Sequence, residues 1–193
     1  MKIQNKVYFL IFLIYYIFNN YINSINLKKN YIILNINLKN LIYIIYILKN
    51  YLFFQYKQLL DLFAVDYPQK VNKRFELNYY LLSIKYNLRI LIKSNVNNIE
   101  IIPTISNLYN SANWLERETW DYFGLFFSNH KDLRRILTDY GFEGYPLRKD
   151  FPLTGYTEIK YDDETKKIII DPLEVTQEFR FFDFTTPWEI KIK

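Results

Sequence analysis

FELNYYLLSIKYNLRILIK, residues 75–93, decides the fold class. Phe75–Ile84 and Leu88–Lys93 are β-rich runs on either side of Lys85–Tyr86–Asn87, a polar triplet that reads as a hairpin turn. In the second run Leu88, Ile90 and Ile92 alternate with Arg89 and Lys93, the pattern of a half-exposed sheet. Upstream, Asn30–Ile36 reads as a strand and Tyr56–Asp66 as another that stops at Tyr67–Pro68. Between them Leu38, Leu41, Ile42 and Ile45 fall at helical spacing, which predicts a helix over Leu38–Asn50. Downstream, Pro103–Thr104 opens a helical stretch that runs through Phe123 and stops at Gly124, a residue suited to the left-handed C-terminal position. Asp132 can cap a short helix over Leu133–Tyr140, ended by Gly141. Gly141–Thr157 is loop-like, and Glu158–Tyr161 with Lys166–Asp171 reads as a small hairpin. The aromatic chain after Pro172 reads as an extended arm lying on another surface. The expected class is α+β: a small, mostly antiparallel or mixed sheet packed with helices, followed by a loop-rich C-terminal arm. Residues 30–140 form the expected core domain and 141–193 the loop, hairpin and arm, while 1–29 are an unassigned apolar and basic segment.

Composition narrows the chemistry. The 193 residues hold no cysteine, so disulfides, thiolate metal sites and a cysteine nucleophile are excluded. Four glycines form neither a dinucleotide-binding fingerprint nor a phosphate loop. Ile, Asn, Lys, Tyr and Phe displace Gly, Ala, Arg and Pro, which points to an A/T-rich, organellar genome. Residues 1–60 carry seven lysines and no acid, whereas all 20 acids follow. Such asymmetry fits anionic lipid, a targeting segment or a merely solvated face; the lysines are too dispersed, and arginine too late, for a nucleic-acid groove. Val7–Phe18 is an unbroken apolar run of twelve, too short to span a bilayer, and reads as a helix of the soluble fold.

Glu116, Glu118 and Asp121 crowd one predicted helix. Glu118 and Asp121, at i and i+3, share a face that suits a divalent cation or an acid–base pair. The simpler expectation is an exposed helical face with Arg117 interleaved. Asp162–Asp163–Glu164 lacks calcium-loop spacing and reads as a polar hairpin turn. Only seven arginines stand against 18 lysines, and five lie at or beyond residue 117. Retained arginine hints at planar, bidentate pairing, through Arg134–Arg135 and Arg148–Lys149, with phosphate, a partner's carboxylates or acids of the same chain. His130, the single histidine, reads as a satisfied structural residue.

Trp114–Asp163, WLERETWDYFGLFFSNHKDLRRILTDYGFEGYPLRKDFPLTGYTEIKYDD, resembles the 30-kDa-subunit family of respiratory complex I, the mitochondrial NADH dehydrogenase. Glu116–Leu137 carries that family's pattern: E-R-E, an acid three residues after the second Glu, two apolar residues, then the histidine and the paired arginines. PLEVTQEFRFFDFTTPWE, Pro172–Glu189, is similar to the family's tail, and LFAVDYP (Leu62–Pro68) and YYLLSIKYNLRI (Tyr79–Ile90) also match. Asn129-His130-Lys131-Asp132 stands where the family has Gly-His-Pro-Asp; asparagine tolerates positive φ, so the turn is expected to persist. Tyr145 stands where a histidine is usual, which weakens any relay role there.

The resemblance implies a non-redox subunit of proton-pumping NADH:ubiquinone oxidoreductase, in the peripheral arm on the matrix side of the mitochondrial inner membrane. It would pack on the hydrogenase-like quinone-pocket subunit and neighbouring iron–sulfur subunits. NADH, FMN, iron–sulfur clusters and ubiquinone would be bound by those partners, with no cofactor, metal or catalytic residue on this chain. Interface residues would be Glu116, Arg117, Glu118, Asp121, Arg134, Arg135, Arg148, Lys149, Phe181, Phe184 and Trp188. The alternatives are a binding subunit of a related membrane hydrogenase-type complex and a membrane-anchored protein held by residues 7–18.

Overall fold

A computed structural model describes residues 2–28, 31–70, 72–175, 177–182, 184, 186 and 188, with side chains from Tyr8 onward. The chain divides into two compact units, Met1–Phe151 and Pro152–Lys193. In the first, α1 (Lys2–Phe18) leads into β1 (Ile22–Leu27) and β2 (Tyr31–Ile36). A single 3-10 turn (Leu38–Asn40) precedes α2 (Leu41–Asn50), and β3 (Gln58–Asp66), β4 (Phe75–Ser83) and β5 (Leu88–Val96) follow. The five strands form one sheet in the order β1-β2-β5-β4-β3. All neighbours are antiparallel except β2 and β5. The parallel pair follows from the connections: α2 carries the chain from β2 to the far edge, and the β3-β4-β5 meander returns it beside β2.

The hairpin expected around residues 85–87 is present, with Asn87 in the left-handed region at φ 51°. Alternation puts Phe75, Leu77, Tyr79 and Leu81 of β4 on the same face as Ile90, Ile92 and Val96 of β5. That face continues into Ile32, Leu34 and Ile36 of β2 and builds one hydrophobic cluster with the helices. In β3 a bulge between Leu59 and Asp61 restores the phase, so that Leu59 and Leu62 both reach the core. Residues 1–29, unassigned from sequence, supply α1 and β1, and Leu10, Ile14 and Phe18 of α1 are buried in the cluster.

Three expectations need correction. In α2 the buried face is Leu41, Ile44, Ile45 and Leu48, while Ile42 points to solvent. An apolar run offers two overlapping helical stripes, and packing into the shared core cluster selects one. Next, residues 103–111 are not helical. β6 (Ile102–Pro103) pairs in parallel with β7 (Phe127–Ser128), and α3 spans only Ala112–Phe123. The N–H of Ile105 is taken by Glu116, so the backbone turns there. Finally, Leu133–Tyr140 is irregular rather than helical. The N–H groups of Ile136, Leu137 and Thr138 donate to one oxygen of Asp121, which leaves none of them for an i→i−4 ladder.

Gly124 does end α3, at φ 72°, and its N–H bonds the carbonyl of Trp120. A Cβ there would come within 2.6 Å of the Arg148 guanidinium and the Tyr145 ring. Gly124→Ala is therefore expected to lower stability by about 1–2 kcal/mol, from left-handed strain and displacement of those side chains. Urea unfolding midpoints read the difference.

In the second unit β8 (Thr157–Asp162) and β9 (Lys167–Pro172) form the expected hairpin. Its turn is organised by Asp162, which accepts from the N–H groups of Glu164 and Thr165 and from the Thr165 hydroxyl, as a polar turn requires. Ile159, Tyr161, Ile168 and Ile170 lie on one face of the hairpin and are all exposed. Beyond it the described arm residues Phe181, Phe184 and Trp188 are 85%, 94% and 87% exposed. Thr176, Asp183, Thr185, Pro187 and residues 189–193 of the expected arm lie outside the described residues.

Candidate functional site

α3 has a conventional polar composition, yet Glu116, Arg117 and Asp121 are buried, and Glu118 is half-buried. The expected solvated face is thus an inward one. The reason lies in what arrives from elsewhere in the chain. Glu116 accepts from the Ile105 N–H at 2.7 Å and from the Thr104 hydroxyl. The His130 Nε2 stands 3.7 Å from the same oxygen that accepts from Thr104, and 3.2 Å from the Asn113 carbonyl. His130 Nδ1 accepts from the Asp132 N–H, which puts the ring proton on Nε2, facing the carbonyl. His130 is thereby the satisfied structural residue expected, on the turn set by Asn129 at φ 59°. Burial pushes the Glu116 carboxyl up to about 7, against the Thr104 and Ile105 hydrogen bonds that favour its charge.

Asp121 is a second hub. Beyond the three backbone N–H groups it accepts from the Thr138 hydroxyl at 2.7 Å and from Arg135 Nη1 at 3.1 Å. Both oxygens are consumed by donors, so Glu118 and Asp121 do not make a cation site or an acid–base pair. Arg135 also donates to the Thr138 hydroxyl and the Gly144 carbonyl. Its guanidinium stands over the Tyr145 ring at 5.2 Å, and that of Arg148 lies over the same ring at 4.5 Å. The Tyr145 ring therefore meets two cations, a contact its electron-rich π-system favours.

Arg148 continues the structure outward. It donates to the Phe123 carbonyl at 2.7 Å, at the C-terminus of α3 where cations are favoured, and to Asn98 at 2.7 Å. Next to it, the Lys149 N–H donates to Asp66. Asp66 is the hub the sequence did not single out. Arg74 grips it through two parallel bonds of 2.6 and 2.7 Å and reaches Asp150 at 3.0 Å. The Arg74 hydrogen bond holds the Asp66 carboxyl below the usual range despite burial. Scarce arginine in a lysine-rich chain was the available signal, and it applied at position 74 as at 135. Through these bonds residues 141–151 pack in the first unit rather than with the C-terminal hairpin.

Of the other candidates, Arg117 donates to the Arg134 carbonyl at 3.1 Å, and its guanidinium lies 5.6 Å from the Trp114 ring. Arg134 is exposed and pairs with Asp132 at 3.0 Å. Lys149 exposes its side chain. The structure thus joins Glu116, Arg117, Asp121, Arg135 and Arg148 into one lobe around α3. Phe181, Phe184 and Trp188 belong to the second unit. Among the described residues no group of three or more His, Cys, Asp or Glu is arranged to hold a metal ion. The lobe's chemistry is that of a polar scaffold: Glu116, Arg117 and Asp121 each meet a specific donor or acceptor.

The family model described as respiratory-chain NADH dehydrogenase, 30 Kd subunit, matches residues 34–157. The NADH-ubiquinone oxidoreductase subunit 9 of Reclinomonas americana is 53% identical over 172 residues, covering 89% of this chain and 84% of that protein. Its namesake from Acanthamoeba castellanii is 52% identical over 195 residues, with 98% and 96% covered. Among solved structures, a chain from the membrane-bound sulfane sulfur reductase, an archaeal respiratory membrane complex, superposes with a TM-score of 0.66 at 22% identity. That likeness covers 77% of this chain and 86% of that one and concerns the fold alone.

Proposed function

Because this chain belongs to the family of the respiratory-chain NADH dehydrogenase 30-kDa subunit, we propose that it is a non-redox structural subunit of proton-pumping NADH:ubiquinone oxidoreductase. In this reading it sits in the peripheral arm, on the matrix side of the mitochondrial inner membrane, against the quinone-pocket subunit and neighbouring iron–sulfur subunits. Those partners bind NADH, FMN, the clusters and ubiquinone. The chain's part in catalysis is geometric: quinone docking and electron transfer need groups held within about 0.5 Å, so a clamping subunit affects rate without touching substrate.

The observation that carries the reading, beside family membership, is the apolar face of the β8–β9 hairpin. A two-stranded hairpin is marginal in water unless its apolar face is covered. Ile159, Tyr161, Ile168 and Ile170 leave such a face open, and Phe181, Phe184 and Trp188, also exposed, are of residue types suited to an interface. We assign direct partner contact to these residues and to exposed Arg134 and Lys149. Buried Glu116, Arg117 and Asp121, with half-buried Glu118, Arg135 and Arg148, keep the lobe around α3 in shape.

Trp188→Ala is expected to lower the amount of assembled complex severalfold while leaving NADH oxidation per assembled complex unchanged. Native electrophoresis of detergent-solubilised mitochondrial membranes with an in-gel NADH stain reads both. A chain that migrates free of any large NADH-oxidising assembly would overturn the reading. A second reading is a binding subunit of a related membrane hydrogenase-type complex, but the 52–53% identities are to NADH-ubiquinone oxidoreductase subunits, which favours the first.

A further inference from the structure

Helix α1 packs one face into the core through Leu10, Ile14 and Phe18. At 100° per residue, the opposite face is Tyr8, Phe9, Phe12, Tyr15 and Tyr16, all exposed, with Phe12 at 65% and Tyr16 at 77%. A surface helix normally carries polar residues there. α2 repeats the pattern: Leu41, Ile44, Ile45 and Leu48 face inward, and Ile42, Tyr43 and Tyr46 face outward. Ring contacts tie each outward face to the turn that follows the other helix: Phe9 of α1 meets Phe53, just beyond α2, at 6.2 Å, and Tyr43 of α2 meets Tyr21, just beyond α1, at 5.0 Å. Beside them, a groove of about 680 Å³ runs between α1 and β1, lined by Tyr8, Ile11, Phe12, Tyr15, Ile22 and Leu27 among others.

Charge identifies the occupant. This surface belongs to residues 1–60, which hold seven lysines and no acid. Nucleotide bias accounts for abundant Tyr, Ile and Lys, but not for missing acids, because the same chain places 20 of them after residue 60. A cleavable targeting helix would also avoid acids, yet α1 is built into the core, and the acid-free stretch continues through two strands and α2.

We propose that the joined aromatic face of α1 and α2 lies on the surface of an anionic phospholipid bilayer. Tyrosine and phenylalanine rings seat at the level where headgroups meet acyl chains, and exposed Lys28 and Lys39 meet the lipid phosphates. The helix lies on the membrane and does not cross it: its 17 residues span about 25 Å, one side is committed to the core, and among the described residues no helix is long and apolar enough to cross a membrane. The inference does not depend on membership of any complex.

The full-length chain, mixed with sedimenting vesicles of phosphatidylcholine containing about one-fifth phosphatidylglycerol, should pellet with them and not with pure phosphatidylcholine vesicles. Binding should weaken about tenfold or more in high salt and in the Phe12→Ser/Tyr16→Ser double variant. Both positions are exposed, and circular dichroism checks the fold. As a second readout, Tyr16→Trp should add emission that shifts to the blue with anionic vesicles alone. Failure to pellet with anionic vesicles, equal binding to neutral ones, or an unshifted Tyr16→Trp emission each overturns the proposal and leaves the face to a protein partner.

Discussion

Asp121→Ala is expected to lower folding stability by about 4 kcal/mol, equivalent to a melting temperature roughly 10 °C lower for a chain of this size. The side chain is fully buried and accepts five hydrogen bonds, three from consecutive backbone N–H groups, one from Thr138 and one from Arg135. Alanine strands all of them, including a guanidinium whose side chain is only about a quarter exposed. Asp121→Asn keeps the acceptor for the N–H groups but turns an amide donor toward Arg135, so it should recover part of the loss. Burial alone would raise the Asp121 carboxyl, but the Thr138 hydroxyl and the N–H groups of Thr138, Leu137 and Ile136 hold it below its usual range. A carboxyl held low binds fewer protons folded than unfolded. Its contribution is therefore present above the ordinary carboxylate range and is lost as pH falls through the folded value. Acid unfolding should accordingly be less steep in Asp121→Asn than in the wild type. A wild-type melting temperature for Asp121→Ala would show that the loop from His130 to Gly144 stands without its anchor.

Glu116→Gln is expected to act in the opposite direction at neutral pH. Burial lifts the Glu116 carboxyl from its ordinary 4.5 to about 7. A group whose folded value is raised stabilises fully below the unfolded value, and that stability is lost as pH rises through the folded one. The wild type should therefore lose up to about 3 kcal/mol between pH 4.5 and 7 from this group. Glutamine is neutral throughout, can accept from the Ile105 N–H and can donate to the Thr104 hydroxyl. The variant should equal or fall slightly below the wild type near pH 4 and exceed it at pH 8, read from urea midpoints at both values. Parallel pH curves for the two proteins would mean that Glu116 is charged in the fold at no net penalty.

These two carboxylates also mark where local sequence stops being informative. The β4–β5 hairpin, β2, β3 and the left-handed stop at Gly124 were legible because alternation, breakers and positive-φ residues act within a few positions. Asn87 and Asn129 fall in the same class, each turning at positive φ where its neighbours could not do so without strain. Glu116 and Asp121 were misread as a solvated face, since helical periodicity counts charges as outward-facing. Their partners lie 11 to 17 residues away in the chain, at Thr104, Ile105 and Ile136–Thr138, outside any helical window. The same long-range bonds dissolved the two helical stretches expected over 103–111 and 133–140.

By itself the sequence determined the class of the fold, its family and the absence of cysteine chemistry, since composition, alternation and a long motif are properties of the chain read in order. Only the tertiary structure decided which charges are interior supports and which side of α1 is left uncovered. Burial depends on what the rest of the chain brings alongside, and a carboxylate can be taken out of water only where donors from distant segments converge on it.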